Sequence, residues 1–276
     1  MKADELRLRP GTTDDAPALA DLFLAARFAS EPAIPASVHT PTEIHRWFAD
    51  LLRLDPSTGS GHRELDHRGE PEREPSRRET WVAERSSAVV GFLTLEREWL
   101  DSIYVRPDLT GQGIGTALLD LAKSLRPGGF GLWVFETNAG ARRFYARHGL
   151  LALERTDGLD NEEKAPDIAM VWPGEDPLAH LRRKIDAVDI ELGKVLARRA
   201  ALTSAIQRFK PVSGHEGRDL AREAEIADRL AAHASNLGPD RIQRIMHVVI
   251  TESLDAAAER TAAREPVSTD QADMTD

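Results

Sequence analysis

The spacing of hydrophobic positions changes character near Pro173. Between Leu6 and Trp172, short apolar runs of strand type alternate with stretches of helical spacing. From Asp176 onward no β-rich run occurs. Leu178, Leu181, Ile185, Val188, Leu192, Val195, Leu202, Ile206 and Phe209 instead recur at intervals of three and four, which predicts one long helix from Asp176 to Lys210. A second helix opens at Arg218–Glu225, with Asp219 as a natural N-cap, and a third at Pro239-Asp240, carrying Ile242, Met246, Val249 and Ser253 on one face. The pattern predicts a mixed α/β domain over residues 1–174 and an all-α, three-helix domain over 175–262. The boundary falls at Pro173-Gly174-Glu175, and Asp176-Pro177 reads as an N-cap followed by proline at the first helical position.

Within the first domain, Val89–Leu95 and Leu100–Val105 read as strands, and Thr110-Gly111-Gln112-Gly113-Ile114-Gly115 as a glycine loop. A helix over Thr116–Leu125 and an apolar run Gly131–Phe135 follow. Glycines at 111, 113 and 115 let the backbone bend tightly, so that amides at the helix start can converge on one anion. A pyrophosphate suits such a cradle, and a plain turn is the alternative. Residues 55–79 are dense in charge, Pro and Gly, which predicts a mobile insertion; His62 and His67 within it read as solvated loop rather than a metal site. Residues 263–276 read as a disordered tail.

Composition narrows the function classes. With 276 residues and 41% hydrophobic content, two ordinary cores are the expectation. A net charge of −10 argues against a nucleic-acid partner, so an anionic substrate must be held by locally placed cations. The absence of cysteine excludes disulfides, thiolate metal sites and a cysteine nucleophile. No apolar run reaches the ~18 residues of a membrane span, and Met1–Glu5 lacks the layout of a signal peptide. A cytoplasmic protein with neither membrane contact nor metal is expected.

One residue interrupts the apolar seam of the long helix. Arg199 stands between Val195 and Leu202, a permanent cation where the helix packs, and it requires either a carboxylate partner or an anionic ligand. A helix of this predicted length spans roughly 50 Å, about twice the width of a domain of this size, so its seam calls for a second copy. Arg182 and Arg199 are 17 positions apart, roughly 25 Å along one helix. They can converge only across an antiparallel, intertwined homodimer.

The first domain resembles the GNAT acetyltransferase superfamily. The resemblance rests on the strand ending in Tyr104-Val105, the loop Thr110–Gly115, and the later segment Asn138, Ala141, Phe144-Tyr145, His148-Gly149-Leu150. It covers about Leu6–Trp172, with Thr110 where Gln or Arg is usual and Leu150 where Phe is common. It implies acetyl-CoA as co-substrate, bound by Val105, Thr110, Gly111, Gln112, Gly113, Ile114, Gly115, Thr116 and Asn138. It further implies direct attack of an acceptor amine on the thioester, with Tyr145 as general acid. A core tyrosine and a helix-capping asparagine are the structural alternatives for Tyr145 and Asn138. No base stands out among Glu96, Glu98 and Asp101, and His39, Glu43, Glu162 and Glu163 flank the expected acceptor side.

The second domain resembles the all-helical chorismate mutase family from about Pro177 to Ala258. The stretches that carry this are Leu181–Asp189, Leu196–Arg199, Lys210 and Arg218–Glu223. The resemblance implies that Arg182 of one subunit, with Arg199 and Arg222 of the other, surrounds the anionic groups of chorismate. Lys210 faces the ether oxygen, Glu223 meets the ring hydroxyl, Ser253 adds a hydroxyl contact, and Asp219 is a ligand contact or simply a cap. Such chemistry needs restraint and cations, not a nucleophile or metal. Ala257 departs from the family's Gln or Glu. That implies low activity, dependence on an activating shikimate-pathway protein, or a related dicarboxylate such as isochorismate or 4-amino-4-deoxychorismate. The alternative to a bifunctional enzyme is a dimerising, ligand-sensing helical module that regulates the acetyltransferase.

Overall fold

The computed structural model describes residues 5–53, 78–210, 212, 214–234 and 236–262. The chain divides into two compact units, residues 1–182 and 183–276.

In the first unit, seven strands form one sheet in the order β1-β2-β3-β4-β5-β7-β6. These are β1 (Arg7–Pro10), β2 (Arg78–Arg85), β3 (Ala88–Glu96), β4 (Trp99–Val105), β5 (Phe130–Phe135), β6 (Leu151–Arg155) and β7 (Asp167–Trp172). Helices α1 (Ala16–Ala29) and α2 (Pro41–Arg53) cover one face, where Leu19, Phe48 and Phe92 are fully buried. On the other face, α3 (Ile114–Leu125) and α4 (Ala139–Arg147) enclose Leu93, Leu118, Leu119 and Phe130. Alternation along β3 produces the two faces, because successive side chains point to opposite sides. Phe92 joins the α1–α2 core, whereas Leu93 and Leu95 join the other.

The sheet is antiparallel except at its centre. There β4 and β5 run parallel and pair at a single position, Trp99↔Gly131. Trp99 stacks on Trp133 across this junction, with ring centroids 6.1 Å apart. Beyond it, toward the C-terminal ends of both, the two strands share no ladder. On its other edge β4 pairs with β3 through a register shift at Asp101.

Arg78 and Glu79, expected within the insertion, instead begin β2. They pair with Glu96 and Leu95, and Arg78 Nε donates to Glu96 at 2.7 Å. A neighbouring strand with open hydrogen-bonding groups outweighs local charge density there. The rest of the expected insertion, with His62 and His67, and the expected tail lie outside the described residues. Among the described residues no cluster of His, Asp and Glu is arranged to hold a metal, and no helix is long and apolar enough to cross a membrane.

Helix α5 (Pro177–Gln207) begins inside the first unit. Asp176 caps it, its Oδ1 accepting from Ala179 N at 3.0 Å. His180, 2% exposed, bonds through Nδ1 to Gly128 O at 2.7 Å. Gly174, at φ +76°, approaches so closely that a Cβ there would stand 2.5 Å from Pro127 O. These contacts extend the first unit past Pro173–Glu175 to Arg182. The helix ends at Gln207, short of Lys210, because the residue before Pro211 is disfavoured in helical conformation.

The second unit contains the remainder of α5, α6 (Leu220–His233) and α7 (Pro239–Ala262). Ala227, Ile242, Ile250, Leu254 and Ala257 are buried there. Much of the apolar stripe of α5 is not. Ile185 is 58% exposed, Val188 65% and Leu202 60%, an uncovered face that water alone does not favour.

Candidate active sites

In the first unit, β4 runs into a short 3-10 turn (Pro107–Leu109), the glycine loop and then α3. Thr110 Oγ1 donates to Pro107 O at 2.9 Å and closes the turn. Gly111 and Gly113 lie at φ +79° and +84°, left-handed conformations that other residues adopt only under strain. A Cβ added at either would meet nothing within 4 Å, so the loop borders open space. The first α3 hydrogen bond runs from Ala117 N to Gly113 O at 3.0 Å. The amides of Ile114, Gly115 and Thr116 therefore have no intrahelical acceptor, and they sit at the positive end of the helix dipole. That donor set fits a pyrophosphate. Gln112 is engaged by Arg85 Nη1 at 2.9 Å.

Around this loop, an added Cβ at Gly115 would stand 3.6 Å from the Phe144 ring and 3.8 Å from Val105, so the β4 end and α4 flank α3 directly. Thr116 Oγ1 lies 3.2 Å from His148 Nε2, and His148 Nδ1 donates to Phe144 O at 2.8 Å. Asn138 caps α4, its Oδ1 accepting from Ala141 N at 3.0 Å. Tyr145 is 7% exposed, and its hydroxyl makes no hydrogen bond to any described residue. Burial pushes that hydroxyl's pKa up, so it stays protonated at neutral pH.

The acceptor-side residues fall into distinct arrangements. Arg27 Nη2 donates to Glu163 at 2.8 Å and to Pro35 O at 2.9 Å, and His39 Nε2 meets Glu162 at 2.9 Å. These contacts tie the α1–α2 connection to the β6–β7 connection. Glu43 is spent at the start of α2, accepting from Thr40 N and Oγ1 at 2.7 and 2.8 Å. Glu96 pairs with Arg78, and Asp101 accepts from Ser102 Oγ at 3.0 Å. Tyr104, on the α1–α2 face of β4, has its hydroxyl pKa pushed up by burial and pulled back by Arg27, a coupling to α1 that the sequence did not show.

In the second unit, Arg199 projects from α5 onto α7. Its Nη1 donates to Ser253 Oγ at 2.6 Å and to Val249 O at 3.2 Å. The Ser253 hydroxyl in turn donates to Val249 O at 2.6 Å. Among the described residues Arg199 forms no ion pair. Burial lowers its pKa, and the charge of Glu223 acts in the opposite direction. Lys210 donates to Gly217 O at 2.6 Å. Asp219 caps α6, accepting from Arg222 N at 3.0 Å, while Arg222 pairs with Glu225 at 3.0 Å on the surface. Arg182 is exposed and no described residue bonds to its side chain. Glu223 is gripped by Arg218 through two bonds, 2.8 and 2.6 Å, which hold its carboxyl below the usual range. The pair Arg218–Glu223 spans five residues across a helix start, a spacing that sequence rules do not flag. Ala257 is buried and offers no polar group.

The two units are of two classes, an α/β unit built on one seven-stranded sheet and an all-helical unit. Residues 76–149 match the family model of the acetyltransferase (GNAT) domain, and residues 181–257 match that of chorismate mutase type II. The chain is thus similar to the acetyltransferase (GNAT) domain in its first unit and to chorismate mutase type II in its second, each over part of its length. The peptidyl-lysine N-acetyltransferase YjaB of Salmonella typhimurium is 34% identical over 94 residues, a match covering 34% of this chain and 64% of that relative. Among solved structures, apo YjaB from Escherichia coli is 21% identical at TM-score 0.45, covering 62% of this chain and 99% of that one. The PaiA N-acetyltransferase of Thermoplasma acidophilum in complex with coenzyme A is 17% identical at TM-score 0.43, covering 61% of this chain and 99% of that one.

Proposed function

We propose that the chain is a bifunctional enzyme, an acetyl-CoA-dependent N-acetyltransferase joined to a chorismate mutase. Both matched families are families of enzymes. The observation that carries the reading is Arg199, a half-buried cation held by a serine and a carbonyl and paired with no carboxylate among the described residues. An arginine kept at a helix contact for structure is normally neutralised; one kept for an anionic ligand is not.

In the first unit, the amides of Ile114, Gly115 and Thr116 hold the pyrophosphate of acetyl-CoA, and the thioester arm lies where β4 and β5 no longer pair. An acceptor amine attacks the thioester carbonyl, the carbon–sulfur bond breaks, Tyr145 supplies the proton that the departing sulfur takes, and the proton that the amine nitrogen loses passes through solvent to restore the Tyr145 hydroxyl. The acceptor is a primary amine, and the name of the Salmonella relative makes a peptidyl lysine the first to test.

In the second unit, two copies of the chain pack through the exposed face of α5, which brings Arg182 of one subunit to Arg199 and Arg222 of the other. Lys210 faces the ether oxygen, while Glu223 and Ser253 meet the substrate's hydroxyl and carboxylate groups. Rearrangement of chorismate to prephenate breaks one carbon–oxygen bond as one carbon–carbon bond forms, without proton transfer. The site therefore acts by restraining the dianion and stabilising charge on the ether oxygen. Buried Ala257 removes one such contact, which favours modest turnover or a requirement for an activating protein partner.

The test is proton NMR of chorismate incubated with the full chain, alongside calorimetry with acetyl-CoA. Prephenate formation and saturable acetyl-CoA binding are expected. Tight chorismate binding with no prephenate would make the helical domain a sensor instead.

A further inference from the structure

Arg218, which grips Glu223, has no place in the roles assigned above. We infer that Arg218 is a positioning residue that sets the specificity of the helical site, favouring a ring bearing a hydroxyl over one bearing an ammonium group opposite Glu223. The inference rests on the mutase reading and selects among the related dicarboxylates that reading admits.

Arg218 follows the short turn Gly214–Gly217 and precedes the cap residue Asp219. Its Nε and Nη2 donate to the two oxygens of Glu223 at 2.8 and 2.6 Å. Its Nη1 donates to Thr251 Oγ1 at 3.2 Å, and Nη2 also lies 3.4 Å from His247 Nδ1, where only the guanidinium can donate. Helix α7 thus fixes Arg218, and Arg218 fixes Glu223. Their side chains are 16% and 17% exposed, so water screens the pair weakly.

Two consequences follow from this geometry. First, a carboxylate held in a fork is kept ionised and in one orientation, yet each oxygen keeps a lone pair for a further donor. A neutral hydroxyl can use it with no change of charge. Second, Arg218 cancels the charge of Glu223. The charge of Arg199 also reaches Glu223, and that of Asp219 opposes it. An ammonium group brought to Glu223 therefore meets no net negative field, and its lost hydration goes unrepaid. Removing Arg218 would expose the bare carboxylate and invert that preference.

The experiment measures kcat/KM of the full chain for chorismate and for 4-amino-4-deoxychorismate, in which an amine replaces the ring hydroxyl. The ratio of the two values does not depend on the fraction of protein folded. The wild type should prefer chorismate. Arg218→Met, or Arg218→Gln should the first not fold, should lower the ratio by about tenfold or more, whereas Arg218→Lys, which keeps the charge, should hold it within about threefold. In the wild type alone, raising the pH until the substrate amine loses its proton should narrow the preference. An unchanged ratio in the neutral variants, an equal fall in Arg218→Lys, or a preference that pH does not touch would overturn the inference while leaving the mutase reading intact. A wild type that converts neither compound would overturn both.

Discussion

Arg199 Nη1 stands 2.6 Å from Ser253 Oγ, and that hydroxyl passes its own hydrogen to Val249 O at 2.6 Å. The serine thus presents a lone pair to the guanidinium and orients it without neutralising it. Two helices far apart in sequence meet at this bond, and it leaves the cation available to an anion. The same economy marks the first unit, where left-handed glycines leave three helix amides without acceptors. In both arrangements, donors or positive charge meet no carboxylate among the described residues, and both would suit an anion.

Gly113 sits at φ +84°, and its missing side chain faces open space. Gly113→Val would strain the turn and place two methyl groups where the phosphates approach. Acetyl-CoA affinity is expected to fall at least about hundredfold, roughly 3 kcal/mol, with the sheet intact by circular dichroism. Calorimetry checks this.

Tyr145 holds a protonated hydroxyl with no protein partner among the described residues. Tyr145→Phe keeps the ring and its packing against Phe144, whose centroid is 5.3 Å away. Acetyl transfer to a lysine peptide should slow by about 10² to 10⁴, while acetyl-CoA affinity stays within about threefold. Steady-state kinetics and calorimetry on one sample separate the two effects.

Val188, 65% exposed on α5, belongs to the face that a second chain is proposed to cover. Sedimentation equilibrium should find the full chain dimeric at micromolar concentration. Val188→Glu would bury a charge in that contact and should shift the chain to monomer. A wild-type monomer would remove the basis for joining Arg182 to Arg199.

Asp15 accepts from both Nη atoms of Arg9 at 2.7 Å, which lowers its pKa from 3.8 to about 2. A carboxylate depressed in the folded state stabilises the fold fully above its unfolded pKa and loses that contribution as pH falls through the folded one. The first unit should therefore lose about 2 kcal/mol between roughly pH 4 and pH 2. In Asp15→Asn that step should vanish from denaturant titrations across this range.

The sequence made some of this legible and hid the rest for physical reasons. Alternation marks β3 and β4, and glycine spacing marks the loop before α3, because local chain chemistry decides both. Edge strand β6 (Leu151–Arg155) is exposed throughout and carries no burial pattern. The start of β2 reads as charged loop until β3 pairs with it. His180 looks like part of an amphipathic helix, and only Gly128, 52 positions away, explains its burial. Arg199 stood out as a cation on an apolar seam, yet its serine partner 54 positions on depends on how α5 meets α7. Arg218 was hidden because its partner lies across a helix start.

The most direct test is Arg199→Met in the full chain, with melting temperature, chorismate turnover and acetyl-CoA affinity measured on the same preparation. Methionine keeps much of the arginine's volume and removes its charge, so the fold should persist or gain stability. Turnover should fall by at least about two powers of ten, since a buried charge-assisted contact is worth roughly 3 kcal/mol. Acetyl-CoA affinity should be unchanged. A large drop in melting temperature with turnover per folded molecule intact would make Arg199 a structural residue and contradict the account.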